Sequence, residues 1–587
     1  MQRANNTNSG PDEHPISMTQ QDEHDVDWLV AGAGAAGMTG AVAAHQLGGS
    51  VMVVEKEPVY GGTTAKSGGV IWIPGNDSQR ECGISDSSDE GLEYLKGLIG
   101  DSVNKTRLRA FTDGAPEMLR FMTKHSHVDY SALPEYMDYY EDVPGYKSGG
   151  RSMDSAPLHL NTLGAEADHI RIGHYDGLLL PFNVTVIEGR KLQEMDLGAY
   201  LTGFKLLIRY LLELPRNWKT KRDRRMTLGP ALVARLRRSL MDRDIPLWLD
   251  SPITELLQNE QGRVVGAIVT RKGQTHKISA RRGVLLATGG FSQNAAMRWQ
   301  YQQAPIGRDW TAASPGATGD GIQLGLQAGA DLDFMGSAWW SPTYRIPDGR
   351  VLALIAGKAY PGSIMVNGEG RRFTNEAQPY EDVVKDQYAS EAKGESAIPC
   401  YLIFDHSFRS KYALGHIKPG KVADDSKIPV DYFTTGLLTK AETLEELAGK
   451  LSIDPDTLVE TITVFNGPAL QGKDPLFDRG ATIHDRYYAD KTVTPNPSLG
   501  PVAEAPFYAL RCEPGDLDTK GGLQCDEHGR VLTPNGQPIE GLYAAGNTSA
   551  AVMGDTYPGA GATIGSAMTF GYLAAKFAFA NDKESEI

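Results

Sequence analysis

Cysteine is scarce. The 587 residues hold four, Cys82, Cys400, Cys512 and Cys525, with no C-x-x-C pair and no cluster with histidine. A disulfide framework and a zinc-type metal site are therefore excluded, and the expectation is buried free thiols in a reducing cytoplasm. No run of about 18 uncharged apolar residues occurs, so nothing in the sequence is expected to span a bilayer. Residues 1–24 lack a basic segment followed by an apolar one, as a signal peptide requires, and their Asn, Gln, Asp, Ser and Pro content points to a disordered tail. Positive charge is not in excess: the net charge is −15, which argues against nucleic acid as a partner. Nothing repeats at a fixed period, which excludes solenoids and propellers.

What is present is glycine, 66 residues of it, in a chain that is 41% hydrophobic and long enough for two or three domains. A buried-type strand, Val26 to Ala31, runs into Gly32-Ala33-Gly34-Ala35-Ala36-Gly37 and then a helix. Glycines at this spacing permit a tight turn, let the backbone approach a pyrophosphate, and set the phosphates on a helix N-terminus. The next strand, Val51 to Val54, ends at Glu55, whose carboxylate suits two ribose hydroxyls and disfavours a 2′-phosphate. A second small-residue cluster follows, Gly61-Gly62-Thr63-Thr64 and Ser67-Gly68-Gly69. Nicotinamide folds do not need it, and the reading is FAD.

Further pieces of the same domain lie far along the chain. Arg282 to Gly290 is an apolar strand ending in Thr288-Gly289, preceded by strands of a small β-layer around Ile253, and Gly541 to Asn547 is another strand into a glycine turn. A helical stretch from Ile564 closes the chain. The expected fold is α/β: a Rossmann-like FAD-binding domain split between 25–302 and 501–587, with an α+β catalytic domain inserted at 303–500. A redox substrate belongs where the two meet. Trp339 and Trp340 there read equally as pocket lining or core.

Leu197, Leu201, Phe204, Ile208 and Leu211 recur at helical spacing, widened by Tyr200, Leu207, Leu212 and Leu214, with Thr202, Lys205, Arg209 and Glu213 on the other face. Pro215 stops the helix, and Arg216, Lys219, Lys221, Arg222, Arg224 and Arg225 follow. Two readings stand: a helix at the interface of an anionic membrane, or a core helix followed by a solvated basic loop.

The segments VAGAGAAG, GGTTAKSGG, GVLLATGG and GLYAAGN resemble the fumarate-reductase and succinate-dehydrogenase flavoprotein superfamily over nearly the whole chain after residue 25. Dicarboxylate reducers of that superfamily carry a histidine in H-T-x-G-G. Here the segment is Asp518-Thr519-Lys520-Gly521-Gly522. The chain instead resembles the 3-ketosteroid Δ1-dehydrogenases in TKGGL from Thr519, in Tyr557-Pro558-Gly559-Ala560-Gly561, in Asp138-Tyr139-Tyr140, and in Asn375-Glu376 followed by Pro379-Tyr380.

That resemblance implies that Tyr557 and the Gly561 amide polarise a steroid 3-ketone, that Tyr380 takes the proton from carbon 2 with Tyr139 bonded to it, and that flavin receives the hydride from carbon 1. It places Gly32, Gly34, Ala36, Gly37, Glu55, Lys56, Gly62, Thr63, Thr64, Ser67, Gly68, Gly69, Ile253, Thr288, Gly289, Gly546, Asn547 and Ile564 around a non-covalent FAD, since no histidine follows Glu55 in the cluster. The implied substrate is a 3-oxo-4-ene steroid, with a sterol such as cholest-4-en-3-one favoured by the 197–225 insertion. The implied electron acceptor is a quinone or protein carrier, and the implied location is cytoplasmic, at the inner face of a membrane. The alternatives are a Δ4-(5α)-dehydrogenase, a fumarate-reductase-like enzyme, and a flavin-fold lipid carrier without redox chemistry.

Overall fold

The structure is a computed structural model that describes residues 22–174, 180–193, 197–213, 215 and 223–580. The tail to residue 21 and, in the basic run, Arg216, Lys219, Lys221 and Arg222 lie outside the described residues, as does Leu214.

The first sheet is organised by strand Asp22–Ala31, which begins inside the stretch read as a disordered tail. It pairs in parallel with Val51–Val54 on one side and with Gln274–Leu286 on the other. Gln274–Leu286 pairs in parallel with Pro538–Ala544, so a segment from near the end of the chain completes the layer. The order is Arg530–Leu532, Pro538–Ala544, Gln274–Leu286, Asp22–Ala31, Val51–Val54, Leu247–Trp248, with Val264–Arg271 and Ile253–Gln258 branching antiparallel from Gln274–Leu286. Trp28 to Ala31 and Val51 to Val54 are buried throughout, as strands covered on both faces must be. Helices Ala35–Gln46 and Ala562–Ala580 pack on each other over this sheet. The parallel strands therefore end at Gly32, Glu55, Ala287 and Ala545, on the carboxyl edge where open α/β sheets bind ligands.

The second sheet is antiparallel: Val351–Ala353, Ala338–Arg345, Phe507–Thr519, Cys400–Phe404 and Ser363–Val366, with Leu438–Ala441 also on Phe507–Thr519. Its central strand, Phe507–Thr519, comes from the segment that the sequence assigned to the flavin domain. A strand's own residues carry no signal of which sheet it joins, and the stretch to Thr519 is built into the inserted unit. Cys400 and Cys512 face each other in register as free buried thiols, Cys525 is buried, and Cys82, against expectation, is exposed.

Helix Leu197–Glu213 buries only Ala199, Leu206 and Tyr210. Its apolar stripe faces outward: Leu197 is 75% exposed, Leu201 62%, Phe204 64%, Ile208 40% and Leu211 47%. The core-helix reading is thereby corrected. Among the described basic residues, Arg209 pairs with Asp223 at 2.7 Å and Arg225 with Glu188 at 2.8 Å. No helix among the described residues is long and apolar enough to cross a membrane.

Candidate active site and cofactor cradle

The glycine turn is shaped by contact as well as by conformation. Gly32 has φ 110°, and a Cβ there would lie 2.2 Å from the Ala287 carbonyl oxygen; one at Gly37 would lie 2.0 Å from the oxygen of Gly32. Helix Ala35–Gln46 starts at Gly34 with no side-chain cap, and the short helix Gly62–Lys66 starts at Gly61 equally uncapped. The first-turn amides of both ends, Ala36, Gly37, Thr63 and Thr64 among them, have no intrahelical acceptor and are suited to a diphosphate. A Cβ at Gly62 or Gly68 would meet nothing within 4 Å, so the cluster borders open space. Thr64 Oγ1 accepts from the Ala35 amide at 3.2 Å, Thr63 Oγ1 from Ser314 at 3.0 Å, and Ser67 Oγ from Gly69 at 3.0 Å.

Glu55 is held at the end of strand Val51–Val54. Its carboxylate accepts the amides of Ala33 at 2.9 Å and Glu57 at 3.1 Å. Burial raises its pKa, and those two amides work against the rise. Lys56 turns to Asp320 at 2.6 Å and so ties this edge to the next segment. Thr288 Oγ1 accepts from the Gly321 amide at 3.2 Å, beside Gly289. A Cβ at Gly546 would lie 3.4 Å from the Ala36 Cβ. Asn547 spends its amide on Trp339 and Asp518, both at 3.0 Å. Ile564 lies in the first turn of Ala562–Ala580. Ile253 differs: its side chain packs in the core with Leu29 and Val54, and only its neighbourhood reaches the cradle, where the Ser251 amide donates to Glu55 O at 2.8 Å.

Three tyrosines from three distant segments meet. The Tyr139 hydroxyl donates to Tyr380 at 3.4 Å, and the ring centroids of Tyr380 and Tyr557 are 5.3 Å apart, those of Tyr139 and Tyr557 5.7 Å. The 3.4 Å contact is longer than an ordinary hydroxyl bond. Burial pushes the hydroxyls of Tyr139 and Tyr380 well above the usual phenol range and raises Tyr557 as well, so all three are neutral. Trp339 packs edge-on against Tyr557 at 5.0 Å and is fully buried, which places it as a wall of this cluster. Trp340 packs on Tyr388 in a separate core. Tyr140, adjacent to Tyr139, turns away to Asp382 at 3.0 Å.

The segment from Tyr557 to Gly561 is fixed from all sides. Pro558 O accepts from the Tyr94 hydroxyl at 2.8 Å and the Tyr139 amide at 3.0 Å, Ala560 O from Ser152 at 2.9 Å, and Gly561 O from the Trp72 amide at 3.1 Å. Gly561 has φ 95°, and its own N–H donates to nothing among the described residues. A fixed, unpaired amide of this kind is free to donate to a ligand oxygen.

Several supports were invisible to motif reading because their partners are remote in sequence. Asp138 accepts from Trp72 Nε1 at 2.7 Å and from Arg151 at 2.7 Å, and Arg151 also pairs with Asp86 at 2.7 Å, so Tyr139 hangs from a buried ionic network. Tyr380 is the first residue of helix Tyr380–Ala392. The acid behind it, Glu381, is neutralised by fully buried Lys520 at 2.7 Å. Lys520, in the segment where dicarboxylate reducers carry histidine, is thus already paired. Beneath the same loop, Glu376 accepts from Arg372 at 2.8 Å and Arg479 at 3.0 Å.

Comparison with known proteins identifies the family. Residues 27–564 match the FAD binding domain family. The chain is 42% identical over 569 residues to a 3-oxosteroid 1-dehydrogenase of Mycolicibacterium smegmatis, covering 95% of this chain and 97% of that one. The crystal structure of a 3-ketosteroid Δ1-dehydrogenase from Sterolibacterium denitrificans, in complex with 1,4-androstadiene-3,17-dione, superposes with a TM-score of 0.92 at 41% identity, covering 95% of this chain and 100% of that one. A 3-ketosteroid Δ4-(5α)-dehydrogenase from Rhodococcus jostii RHA1 shares the fold alone, at a TM-score of 0.62 and 20% identity over 96% of this chain and 99% of that one.

Proposed function

Because the chain belongs to the FAD-binding family that includes the 3-oxosteroid 1-dehydrogenases, we propose that it desaturates 3-ketosteroids between carbons 1 and 2, converting a 3-oxo-4-ene to a 1,4-dien-3-one. It is an FAD-dependent oxidoreductase, which sets aside the lipid-carrier alternative. The observation that carries the reaction is the meeting of Tyr139, Tyr380 and Tyr557 beside a rigid loop whose Gly561 amide has no partner.

The residues divide the work by their chemistry. The Tyr557 hydroxyl and the Gly561 amide donate to the 3-ketone oxygen and stabilise the charge that develops there; one such preorganised donor is worth about 3 kcal/mol. Ketone polarisation acidifies carbon 2, and the Tyr380 oxygen takes that proton. A neutral phenol accepts a proton only while it gives up its own, and the Tyr139 oxygen can take it once the Tyr139 hydroxyl rotates out of the bond it donates to Tyr380. The amides of Ala36, Gly37, Thr63 and Thr64, with Glu55 at the ribose, hold a non-covalent FAD. When bound, FAD supplies the two-electron acceptor for the carbon 1 hydride. The proposed class of electron acceptor is a quinone or a protein carrier.

The outward apolar face of Leu197–Glu213 supports a peripheral location at the cytoplasmic side of a membrane and a substrate that partitions there, a sterol retaining its side chain. Flotation with anionic liposomes tests the location: protein that stays in solution removes it. For the reaction, anaerobic mixing with cholest-4-en-3-one and with androst-4-ene-3,17-dione is expected to bleach the oxidised-flavin band and yield a product two hydrogens lighter. A flavin that neither steroid bleaches, but that fumarate reoxidises after chemical reduction, would return the dicarboxylate reading.

A further inference from the structure

The two tyrosines given different tasks on the steroid, Tyr557 at the ketone oxygen and Tyr380 at carbon 2, stand on separate parts of the chain. Tyr380 opens helix Tyr380–Ala392 of the inserted unit, and Tyr557 lies in the loop that leads into helix Ala562–Ala580 of the flavin domain. Their hydroxyls must keep a fixed separation, because the oxygen on carbon 3 and the hydrogen on carbon 2 belong to one rigid ring. On the reaction proposed above, we infer that Lys520 is the positioning residue that sets this separation, with Lys385 as a second, outer tie. Tyr139 is held from elsewhere, edge-on against His484 at 4.8 Å and by the network behind Asp138.

One ammonium reaches the chain neighbours of both tyrosines. Lys520 Nζ donates to the two carboxylate oxygens of Glu381, the residue after Tyr380, at 2.7 and 2.8 Å. It also donates to the carbonyl oxygen of Thr556, the residue before Tyr557, at 2.9 Å. The same ammonium lies 4.8 Å over the ring of Trp339, which in turn packs edge-on against Tyr557 at 5.0 Å. Lys520 is itself pinned at the backbone: its N–H donates to Ser337 O at 3.1 Å, and its carbonyl oxygen accepts from the Ala551 amide at 2.9 Å. Lys385 repeats the tie nearer the surface. From the helix that Tyr380 opens, it pairs with Glu381 at 3.0 Å and donates to the Asp555 carbonyl oxygen at 2.6 Å, while the Ser337 hydroxyl donates to the Asp555 carboxylate at 2.6 Å.

Stability alone gives no reason for this arrangement. The side chains of Lys520 and Glu381 are both fully buried. Removing two charges from water costs about as much as their attraction returns, so a well-packed apolar pair of the same volume holds a core equally well or better. What an apolar pair lacks is direction. An ammonium has three N–H donors, and bonds from one such group to Glu381 and to Thr556 hold the two backbone segments within the narrow range of hydrogen-bond lengths. That precision matters for rate, since a misplacement of about 1 Å at a reacting group costs about a hundredfold. Lys520, Glu381 and Lys385 act through Tyr380 and Tyr557 and carry no step of the chemistry themselves.

The test separates position from stability. Either single substitution strands a buried charge, so the variant to make is the double one, Lys520→Met with Glu381→Met, which removes both charges and keeps two unbranched side chains in their place. The holoenzyme is reduced anaerobically by a series of androst-4-ene-3,17-dione concentrations, and flavin content and melting temperature are measured alongside. The double variant is expected to bind FAD and melt near wild type, yet to reduce its flavin about 10–100-fold more slowly at saturating steroid, with the half-saturating concentration changed by less than about threefold. A stable double variant with the wild-type limiting rate would overturn the inference and leave the pair a packing element. A loss confined to the half-saturating concentration would overturn it too, because the pair would then shape steroid binding and not the alignment of the tyrosines. Should the double variant not fold, Lys385→Met decides: removal of the outer tie is expected to slow flavin reduction at saturating steroid by about threefold or more, and a wild-type limiting rate would overturn the inference. A wild-type enzyme that no 3-ketosteroid bleaches would remove the reaction itself, an outcome distinguishable because it appears before any substitution is made.

Discussion

Replacing Gly561 with alanine perturbs the ketone-polarising pair at one atom. At φ 95° an L-residue is strained, and the added Cβ would lie 2.6 Å from Val70 C, Val70 O and Ile71 C. The left-handed conformation costs about 1–2 kcal/mol, and pressing on packed backbone adds about 1–3 kcal/mol. That backbone cannot yield freely, because the Trp72 amide is bonded to Gly561 O at 3.1 Å and Trp72 Nε1 to Asp138 at 2.7 Å. The loop must therefore move, and the amide moves with it. Loss of one preorganised donor lowers the catalytic rate by about 10²–10³-fold. The assay is the rate of flavin reduction by androst-4-ene-3,17-dione under anaerobic conditions, with flavin content and melting temperature measured in parallel. The expected variant binds FAD, melts earlier and reduces its flavin at least a hundredfold more slowly, roughly. A Gly561→Ala enzyme with the wild-type rate would refute the assignment of the amide.

Tyr380→Phe removes the proton acceptor while leaving the ring packing, so flavin reduction is expected to fall by about 10²–10⁴-fold with an unchanged flavin spectrum; a variant within a factor of a few of wild type would move the base elsewhere. Burial alone would raise the Glu376 pKa, but Arg372 and Arg479 hold it down to about 2. Its folded pKa is thus below the usual carboxylate value, so this group contributes stability above about pH 4.5 that is lost as pH falls toward about 2. Thermal melts across that window should show the loss in wild type. Glu376→Gln should lose about 3–5 kcal/mol of stability at neutral pH, because buried Arg479 loses its counter-charge and Arg372 is left with Asp474 alone, and should show less of the acid dependence. The double substitution of Leu201 and Phe204 by glutamate is expected to abolish liposome flotation and slow turnover of membrane-borne sterol, while turnover of dissolved androst-4-ene-3,17-dione stays unchanged; retained flotation would detach the helix from the membrane.

The dinucleotide cradle was legible because its chemistry is local: Gly32 to Gly37, Glu55 and the cluster after it are short runs in which spacing alone carries the geometry. The tyrosines were legible only through motif resemblance, since among 24 tyrosines nothing in composition marks Tyr139, Tyr380 and Tyr557, which meet through long-range folding. The resemblance left Tyr139 and Tyr140 side by side; the ladder of bonds to Pro558 and Asp382 is what turns them in opposite directions. Phe507–Thr519 was misplaced because pairing partners are not written in a strand's own pattern. The helical periodicity of Leu197–Glu213 was read correctly, but periodicity does not tell which face meets water, and here the apolar one does. His484, and Arg151 and Asp86 behind Asp138, had no motif or spacing signal at all. They act through partners that only the fold brings near.

The regiochemistry of desaturation tests the central claim most directly. A fully saturated 3-ketosteroid, 5α-androstane-3,17-dione, offers both the carbon 1–2 and the carbon 4–5 bonds to the same flavin. After one anaerobic turnover, NMR of the product is expected to place the new double bond between carbons 1 and 2, with flavin bleached in step with product. A double bond between carbons 4 and 5 would contradict the roles given to Tyr380, Tyr557 and Gly561 and make the enzyme a Δ4-dehydrogenase on the same fold.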